Sequence, residues 1–353
     1  MTQGDLAFVL GVPAPAINQL ALGRRGISAD MARSLSAVFG VPAEYILKLQ
    51  KEAELHSELA RAKAPNPTVA RNARIVATYP VREMVKRGWL DDDRATFEGQ
   101  LTRFFGASSI DEVPHLQHAA KKSDYENVPP AQIAWLFRVR AIAREMVVGP
   151  YSAEALRAAL PKLRELMIEP EEARNVPRIL EECGVRFVVV QALPGAKIDG
   201  VCFWVGNSPV IGMSIRFDRI DNFWFVLRHE IEHVLRGDGR VAAMIDAELD
   251  PDAKVNELPP EEIAANEAAL DFCVPKREMD SWIARKAPFF SERDLVGFAR
   301  RIGVHPGLVA GQLRSRLGNF KLFVRYLAKI QHAVTPSARV DGWGQIAPVS
   351  EQA

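Results

Sequence analysis

The sequence predicts a mostly α-helical protein with a small β-sheet, an α+β fold, on three observations. Apolar residues recur at three- and four-residue spacing through most of the first 175 positions, the helical period. After Pro177 the texture changes to short β-branched runs separated by turn residues. A long amphipathic segment, 221–237, then returns to the helical period and carries the polar pattern His229-Glu230-Ile231-Glu232-His233. The 353 residues allow two or three domains, and 48% hydrophobic with 25% charged residues is ordinary for a chain with a large core. A net charge of +1 selects no class of partner. Three cysteines (Cys183, Cys202, Cys273) without CxxC spacing argue against a disulfide framework or a thiolate zinc site. The opening MTQGDLAFVL lacks a basic n-region, and no run of eighteen apolar residues occurs, so a cytoplasmic protein without a membrane partner is expected.

Residues 1–50 read as one unit of short helices with turns at Gly11, Gly23, Gly26 and Gly40. Leu6, Ala7 and Leu10, then Ile17 and Leu20, fit two helices joined by a tight turn. Ser28 caps a third, with Met31, Ala32, Leu35, Val38 and Phe39 as its apolar stripe. This pattern resembles the helix-turn-helix of HigA-type antitoxins, although it begins where the second helix of that pattern would. The resemblance implies operator DNA as a partner, a homodimer through this domain, and a toxin as a further partner. The residues opening the recognition helix, Pro13-Ala14-Pro15-Ala16, offer no donors to base edges. The DNA-contacting set is therefore Asn18, Gln19, Arg24 and Arg25. Four basic residues against three acidic ones in this unit add little, and a small helical docking or dimerisation module fits as well.

Residues 51–75 read as a basic linker, with AKAPNPT (62–68) at its centre. From Arg61 to Arg87 seven basic residues accompany one acidic residue, Glu83; such a run tracks phosphates or simply forms a solvated surface. Residues 76–175 are expected to be helical, over YPVREMVKRGWL, Ala95 to Phe105 and Ala131 to Val148. Trp89 and Trp135 fit core packing better than a ligand box. His115 and His118 lack the carboxylate or thiol neighbours that a metal site needs. The strands follow at Val185–Gln191, Val201–Val205 and Pro209–Ile215, the last taken as an edge strand for an extended substrate.

On a helix, His229 and His233 at i and i+4 differ by about 40° in azimuth, so both can reach one ion. The stripe of Trp224, Leu227, Ile231 and Leu235 points nearly the opposite way, which directs the imidazoles towards a cleft or solvent. Glu230 lies about 100° round from His229, placed to take a proton from a water that zinc acidifies. An ordinary surface helix could carry the same five residues, so a third ligand is required. Arg236 and Gly239 stand where a metzincin needs Gly and His. Asp238 lies very near in sequence, on the turn ending the helix. A gluzincin-type arrangement uses a carboxylate from a second helix, and PPEEIAANEAALDFCVP (259–275) offers one: Pro260 starts it, Pro275 ends it, and Glu262 and Asn266 share a face. Ala265, Ala268 and Ala269 permit close approach to the histidine helix.

Together these segments resemble the ImmA/IrrE family of zinc metallopeptidases. Glu262, Asn266, Ala269, Phe272 and Pro275 stand in register with the family's E-x-x-x-[ND]-x-x-A-x-x-[LF]-x-x-P. LPGAKIDGVCFWVGNSPVIGMSIRFDRIDNFWFVLRHEIEHVL and IGVHPGLVAGQL (302–313) match its lead-in and closing segments. The resemblance covers residues 176–318 and implies a zincin-like domain holding one Zn2+ per chain through His229, His233 and Glu262. It further implies Glu230 as general base, Asn266 orienting a ligand from behind, and cleavage of a helix-turn-helix repressor. The expected function is thus a zinc-dependent endopeptidase and transcriptional regulator; the alternative is a non-catalytic DNA-binding antitoxin or regulator whose zincin fold senses or binds a partner. A purely structural zinc is weaker, because three protein ligands leave the fourth position open. Arg216, Arg219, Arg228 and Tyr326 are the candidates for stabilising an oxyanion, and His305 is read as a turn or packing residue. Residues 319–353 are expected to be a C-terminal helix and an aperiodic tail.

Overall fold

Capping chemistry starts the first helix. Thr2 Oγ1 accepts from the Asp5 amide at 3.2 Å, and the Thr2 amide donates to Asp5 Oδ2 at 2.8 Å, so two otherwise unpaired donors are satisfied. Helix α1 (Gln3–Leu10) is followed by α2 (Ala14–Ala21), α3 (Ala29–Phe39) and α4 (Ala43–Arg61). Ser28 caps α3, its hydroxyl accepting from the Met31 amide at 3.2 Å. Ala7, Ile17, Ala32 and Leu35 are the buried residues of this small bundle. The computed structural model describes residues 1–61, 67–115, 127–247 and 258–349. It divides into two units, 1–67 and 68–353. Residues 51–61 and 67–75, expected as linker, are helical: the first continue α4 and the second belong to α5 (Pro67–Thr78). The centre of the expected linker, 62–66, and His118 lie outside the described residues.

Beyond α5 the second unit has helices in the expected 76–175 region, α6 (Val81–Lys86), α7 (Phe97–Phe105), α8 (Pro130–Glu145) and α9 (Ala153–Glu165), and then α10 (Val176–Glu182). Three strands follow, β1 (Arg186–Val190), β2 (Ile198–Val205) and β3 (Ser208–Met213), and then α11 (Ile220–Arg236). Beyond it lie β4 (Met244–Ala247), α12 (Pro260–Cys273), α13 (Lys276–Lys286), α14 (Glu292–Ile302), α15 (Pro306–Arg316), the short α16 (Gln331–Val334) and β5 (Arg339–Asp341). The strands form one mixed sheet in the order β4-β2-β3-β1-β5. β2 is antiparallel to both β3 and β4, whereas β1 runs parallel to β3 and β5.

Helices cover both faces of this sheet, which is why its central strands read as continuous apolar runs. Phe187 and Val189 join one core with Phe223, Trp224, Leu227 and Ile231 of α11. Val188 and Val190, pointing the other way, join a second core with Ile133, Leu136 and Val139 of α8. Trp135 is fully buried in that second core and Trp89 nearly so, as core packing requires.

Two sequence expectations are overturned. Pro209–Ile215 is not an edge strand: β3 lies between β2 and β1, because the hairpin with β2 takes one side and the parallel crossover takes the other. The edges of the sheet are β4 and β5. The region after 319 is not a simple helix and tail either, since β5 completes the sheet and delivers a buried carboxylate, Asp341, to the α8 side. Arg138 Nε and Nη2 donate to Asp341 Oδ2 at 3.0 and 2.5 Å, and Trp89 Nε1 donates to Oδ1 at 2.7 Å. Among the described residues no helix is long and apolar enough to cross a membrane.

Candidate metal centre

Helix α11 brings the two histidines together as its period demands. His229 and His233 Nε2 stand 3.0 Å apart, with ring planes inclined at 71°. They do not face solvent: both are fully buried, as is Glu230. The apolar stripe of α11 does point away from them, but α12 and β4 cover the polar side, a closure that no single-helix argument could reveal.

Small residues let α12 approach. Ala265 and Ala269 are fully buried, and Glu262 Oε2 lies 3.3 Å from His229 Nε2 while Oε1 lies 3.5 Å from His233 Nε2. On the same face, one turn further, Asn266 Oδ1 is 3.1 Å from His229 Nδ1. The other histidine is held by the turn ending its own helix. Gly237 adopts a left-handed conformation (φ +80°), and the chain then places Asp238 Oδ2 3.0 Å from His233 Nδ1. Asp238, set aside as a ligand on sequence grounds, thus sits behind the imidazole instead. Each ring has an acceptor at Nδ1, which leaves the Nε2 lone pairs facing each other and Glu262.

Asp246 is the residue that sequence reasoning missed. It lies on the edge strand β4, 5% exposed, with Oδ1 3.5 Å from His229 Nε2. His229, His233, Asp246 and Glu262 each offer one donor atom within 4.8 Å of the others, a cluster able to hold a metal ion. Two nitrogens and two carboxylate oxygens make a donor set suited to zinc, whose tetrahedral nitrogen ligands at 2.0–2.1 Å stand about 3.3 Å apart. Sequence carries little signal for Asp246: it sits alone in a four-residue strand between Gly239 and a carboxylate-rich stretch, with no spacing relative to the histidines.

The electrostatics favour a cation. Burial pushes the His229 imidazole down, but hydrogen bonds and charge from Asp246 and Glu262 outweigh it and raise its pKa to about 9. Burial, reinforced by the neighbouring Asp246 and Glu262 charges, holds the Glu230 carboxyl well above the ordinary carboxylate range. For Asp246 burial acts upwards too, yet the His229 hydrogen bond and charge prevail and lower its pKa. Both Glu230 oxygens and Asp246 Oδ2 lack hydrogen-bond partners among the described residues, a costly state for buried carboxylates unless a positive group answers it. Gly200 on β2 makes room for Glu230: a Cβ there would lie 2.0 Å from Glu230 Oε1.

The four residues named as oxyanion candidates are engaged in contacts of their own. Arg228 pairs with Glu232 at 2.7 Å, Arg219 with Asp221, and Arg216 Nε lies 3.6 Å from Asp199. The Tyr326 hydroxyl accepts from Arg325 at 3.3 Å. His305 caps α15, its Nδ1 accepting from the Gly307 amide at 3.0 Å. In the first unit Asn18, Gln19, Arg24 and Arg25 are all exposed, the first two on α2, while Pro13 directly precedes that helix.

With the geometry described, comparison with known proteins adds one finding. A helix-turn-helix family model matches residues 1–46. Those residues form a helix-turn-helix domain, the class of fold found in DNA-binding transcription regulators. No curated protein matches the sequence.

Proposed function

We propose that this chain is a DNA-binding regulator whose second unit carries a zinc-dependent endopeptidase centre. One observation carries the reading: imidazoles from α11 and carboxylates from α12 and β4 present donors within 4.8 Å, beside a buried, unpartnered glutamate on the same helix. Zinc would be held by His229, His233 and Glu262, with Asp246 beside them, and when bound it would polarise a carbonyl and acidify water. Glu230 takes the proton of the water that attacks the scissile carbonyl carbon. It then delivers that proton to the departing amine nitrogen as the C–N bond breaks. Asn266 and Asp238 hold the two imidazoles in the orientation that keeps Nε2 inward. An extended substrate is best accommodated along β4, the sheet edge that carries Asp246, through main-chain hydrogen bonds. The resemblance of residues 176–318 to ImmA/IrrE peptidases supports a repressor protein as substrate. The helix-turn-helix unit supports an operator as the second partner, and the exposed Phe8, Phe39, Tyr45 and Leu49 support a homodimer through that unit.

The test is metal content followed by cleavage. Purified protein should hold one zinc and cut a repressor encoded beside its own gene; a chelator should stop the reaction, and Glu230→Gln should keep the zinc while losing cleavage. Full activity in Glu230→Gln would remove the assigned base.

Asp246 favours a second reading. Four protein donors can fill a tetrahedral ion, giving a closed centre in a regulator that binds DNA without cutting protein. Asp246→Ala separates the two: the peptidase reading expects cleavage to persist or rise, and the closed-centre reading expects zinc loss with no fragments from any repressor.

A further inference from the structure

Residues of α11, α12 and α15 line a cavity of about 290 Å3, near the lower end of small-molecule sites. Its α15 wall follows from helix periodicity, because Leu308, Gly311, Gln312 and Ser315 recur at three- and four-residue spacing. Gly311 brings that wall close to α11: a Cβ there would lie 2.3 Å from Asp221 Oδ2. Phe225 of α11 and Leu270 of α12 add further hydrocarbon. One helical turn separates the cavity from the metal cluster on each of these helices. Phe225 precedes His229 by four residues, and Leu270 follows Asn266 by four.

Two buried polar side chains line this space with unanswered atoms. Arg314 is 6% exposed. Its Nε and Nη2 donate to the Phe320 carbonyl at 3.1 and 2.6 Å, and the guanidinium lies 5.8 Å from the Phe320 ring. Nη1 has no hydrogen-bond partner among the described residues. The nearby acid, Asp221, is engaged by Arg219, whose Nε donates to Oδ1 at 3.0 Å. Two guanidinium groups therefore share one carboxylate. Burial and the Arg219 charge hold the Arg314 group below its ordinary pKa, with Asp221 opposing them. Gln312, 8% exposed, donates from Nε2 to the Leu270 carbonyl at 2.6 Å, which leaves Oε1 without a partner. Unanswered atoms of this kind are costly in a buried site. An anion on Nη1 and a donor on Oε1 would remove that cost.

The walls decide what kind of anion fits. Phe217 and Phe320 also line the space, but Arg216, 4.3 Å from the Phe217 ring, and Arg314 already face them. Apolar contact therefore rests on Phe225, Leu270 and Leu308. A phosphate dianion needs several donors, whereas a single guanidinium nitrogen is free here among hydrocarbon. A singly charged carboxylate with an apolar body suits both features.

We propose that this cavity binds a small apolar monocarboxylic acid, with its carboxylate on Arg314 Nη1 and its hydrocarbon against Phe225, Leu270 and Leu308. A hydroxyl or amino group on the acid would answer Gln312 Oε1. The site shares no residue with the metal cluster and does not rest on peptidase activity.

Titration calorimetry on the full-length chain tests it, with hexanoate, benzoate, phenylacetate, L-leucine and L-phenylalanine as probes. The matching primary amides and inorganic phosphate serve as controls. At least one acid should bind about tenfold or more tightly than its amide and than phosphate. Arg314→Met should weaken that acid by about tenfold or more. This variant also loses the hydrogen bonds to the Phe320 carbonyl, so a second one decides the matter if it unfolds. Asn222 lines the cavity, is half-buried and has no hydrogen-bond partner among the described residues. Asn222→Phe fills the space and should abolish binding, with bound zinc and melting temperature unchanged. Failure of every acid to bind would overturn the proposal. So would equal affinity for the amides, tighter binding of phosphate, or wild-type affinity in Asn222→Phe.

Discussion

At the scale of single residues, the centre is defined by what stands behind each imidazole. Asn266 and Asp238 touch no shared donor position but determine which nitrogen of each ring faces inward. Asn266→Ala and Asp238→Ala should each lower zinc affinity by about 10–100-fold, measured by competition with a chromogenic chelator. Glu262→Ala should abolish stoichiometric zinc. On the peptidase reading, Glu230→Gln should cut turnover by about 10²–10⁴-fold at unchanged zinc content. Gly200→Ala is a sharper probe of the same carboxylate, because its methyl would occupy the space of Glu230 Oε1. It should lower both stability and cleavage, and wild-type behaviour of this variant would show that Glu230 is free to sit elsewhere. The pair of histidines, Glu230, Glu262 and Asn266 were legible because each lies on a helix at i, i+1 or i+4 spacing. Asp246 was not, since a strand residue reaches the cluster only through sheet pairing.

At the scale of elements, β5 shows how a short segment can control a large one. Three residues pair with β1 and bring Asp341 to Arg138 and Trp89 beneath the sheet. Removing one member of a buried ion pair strands the other, typically at about 3–5 kcal/mol. Asp341→Ala should therefore lower the melting temperature markedly in thermal denaturation, although residue 341 lies far from the metal cluster in sequence. The helices of 76–165 were readable from their period, and β1 to β3 from β-branched runs. Strand order was not readable: Pro209–Ile215, just before the histidine helix, is taken from the sequence as an edge, yet β3, with Pro209 as its second residue, is interior. The edge beside the cluster is β4, whose four residues are too few for a periodic signal.

At the scale of the whole molecule, one unit carries the helix-turn-helix and the other the cluster able to hold a metal ion. The first unit presents Arg24 and Arg25 to solvent next to a recognition helix whose opening residues carry no base-reading donors. Its DNA affinity should therefore rest mainly on phosphate contacts. Arg24→Ala and Arg25→Ala should each reduce the slope of log K against log salt by about one in a filter-binding or anisotropy assay. Exposed Phe8, Phe39, Tyr45 and Leu49 on so small a bundle lead us to expect a concentration-dependent dimer in sedimentation experiments; a strictly monomeric chain at high concentration would remove that expectation.

By itself the sequence determined the helices, the presence of a sheet, the helix-turn-helix unit and the group of side chains suited to a metal. These depend on period, capping and local spacing, which operate within a few residues of chain. The tertiary structure alone decided that the imidazoles are buried, that a strand adds a fourth donor, that β3 is interior and that the tail completes the sheet. Each of those depends on which segments meet across tens or hundreds of residues, and that choice belongs to packing of both sheet faces together, not to any local pattern.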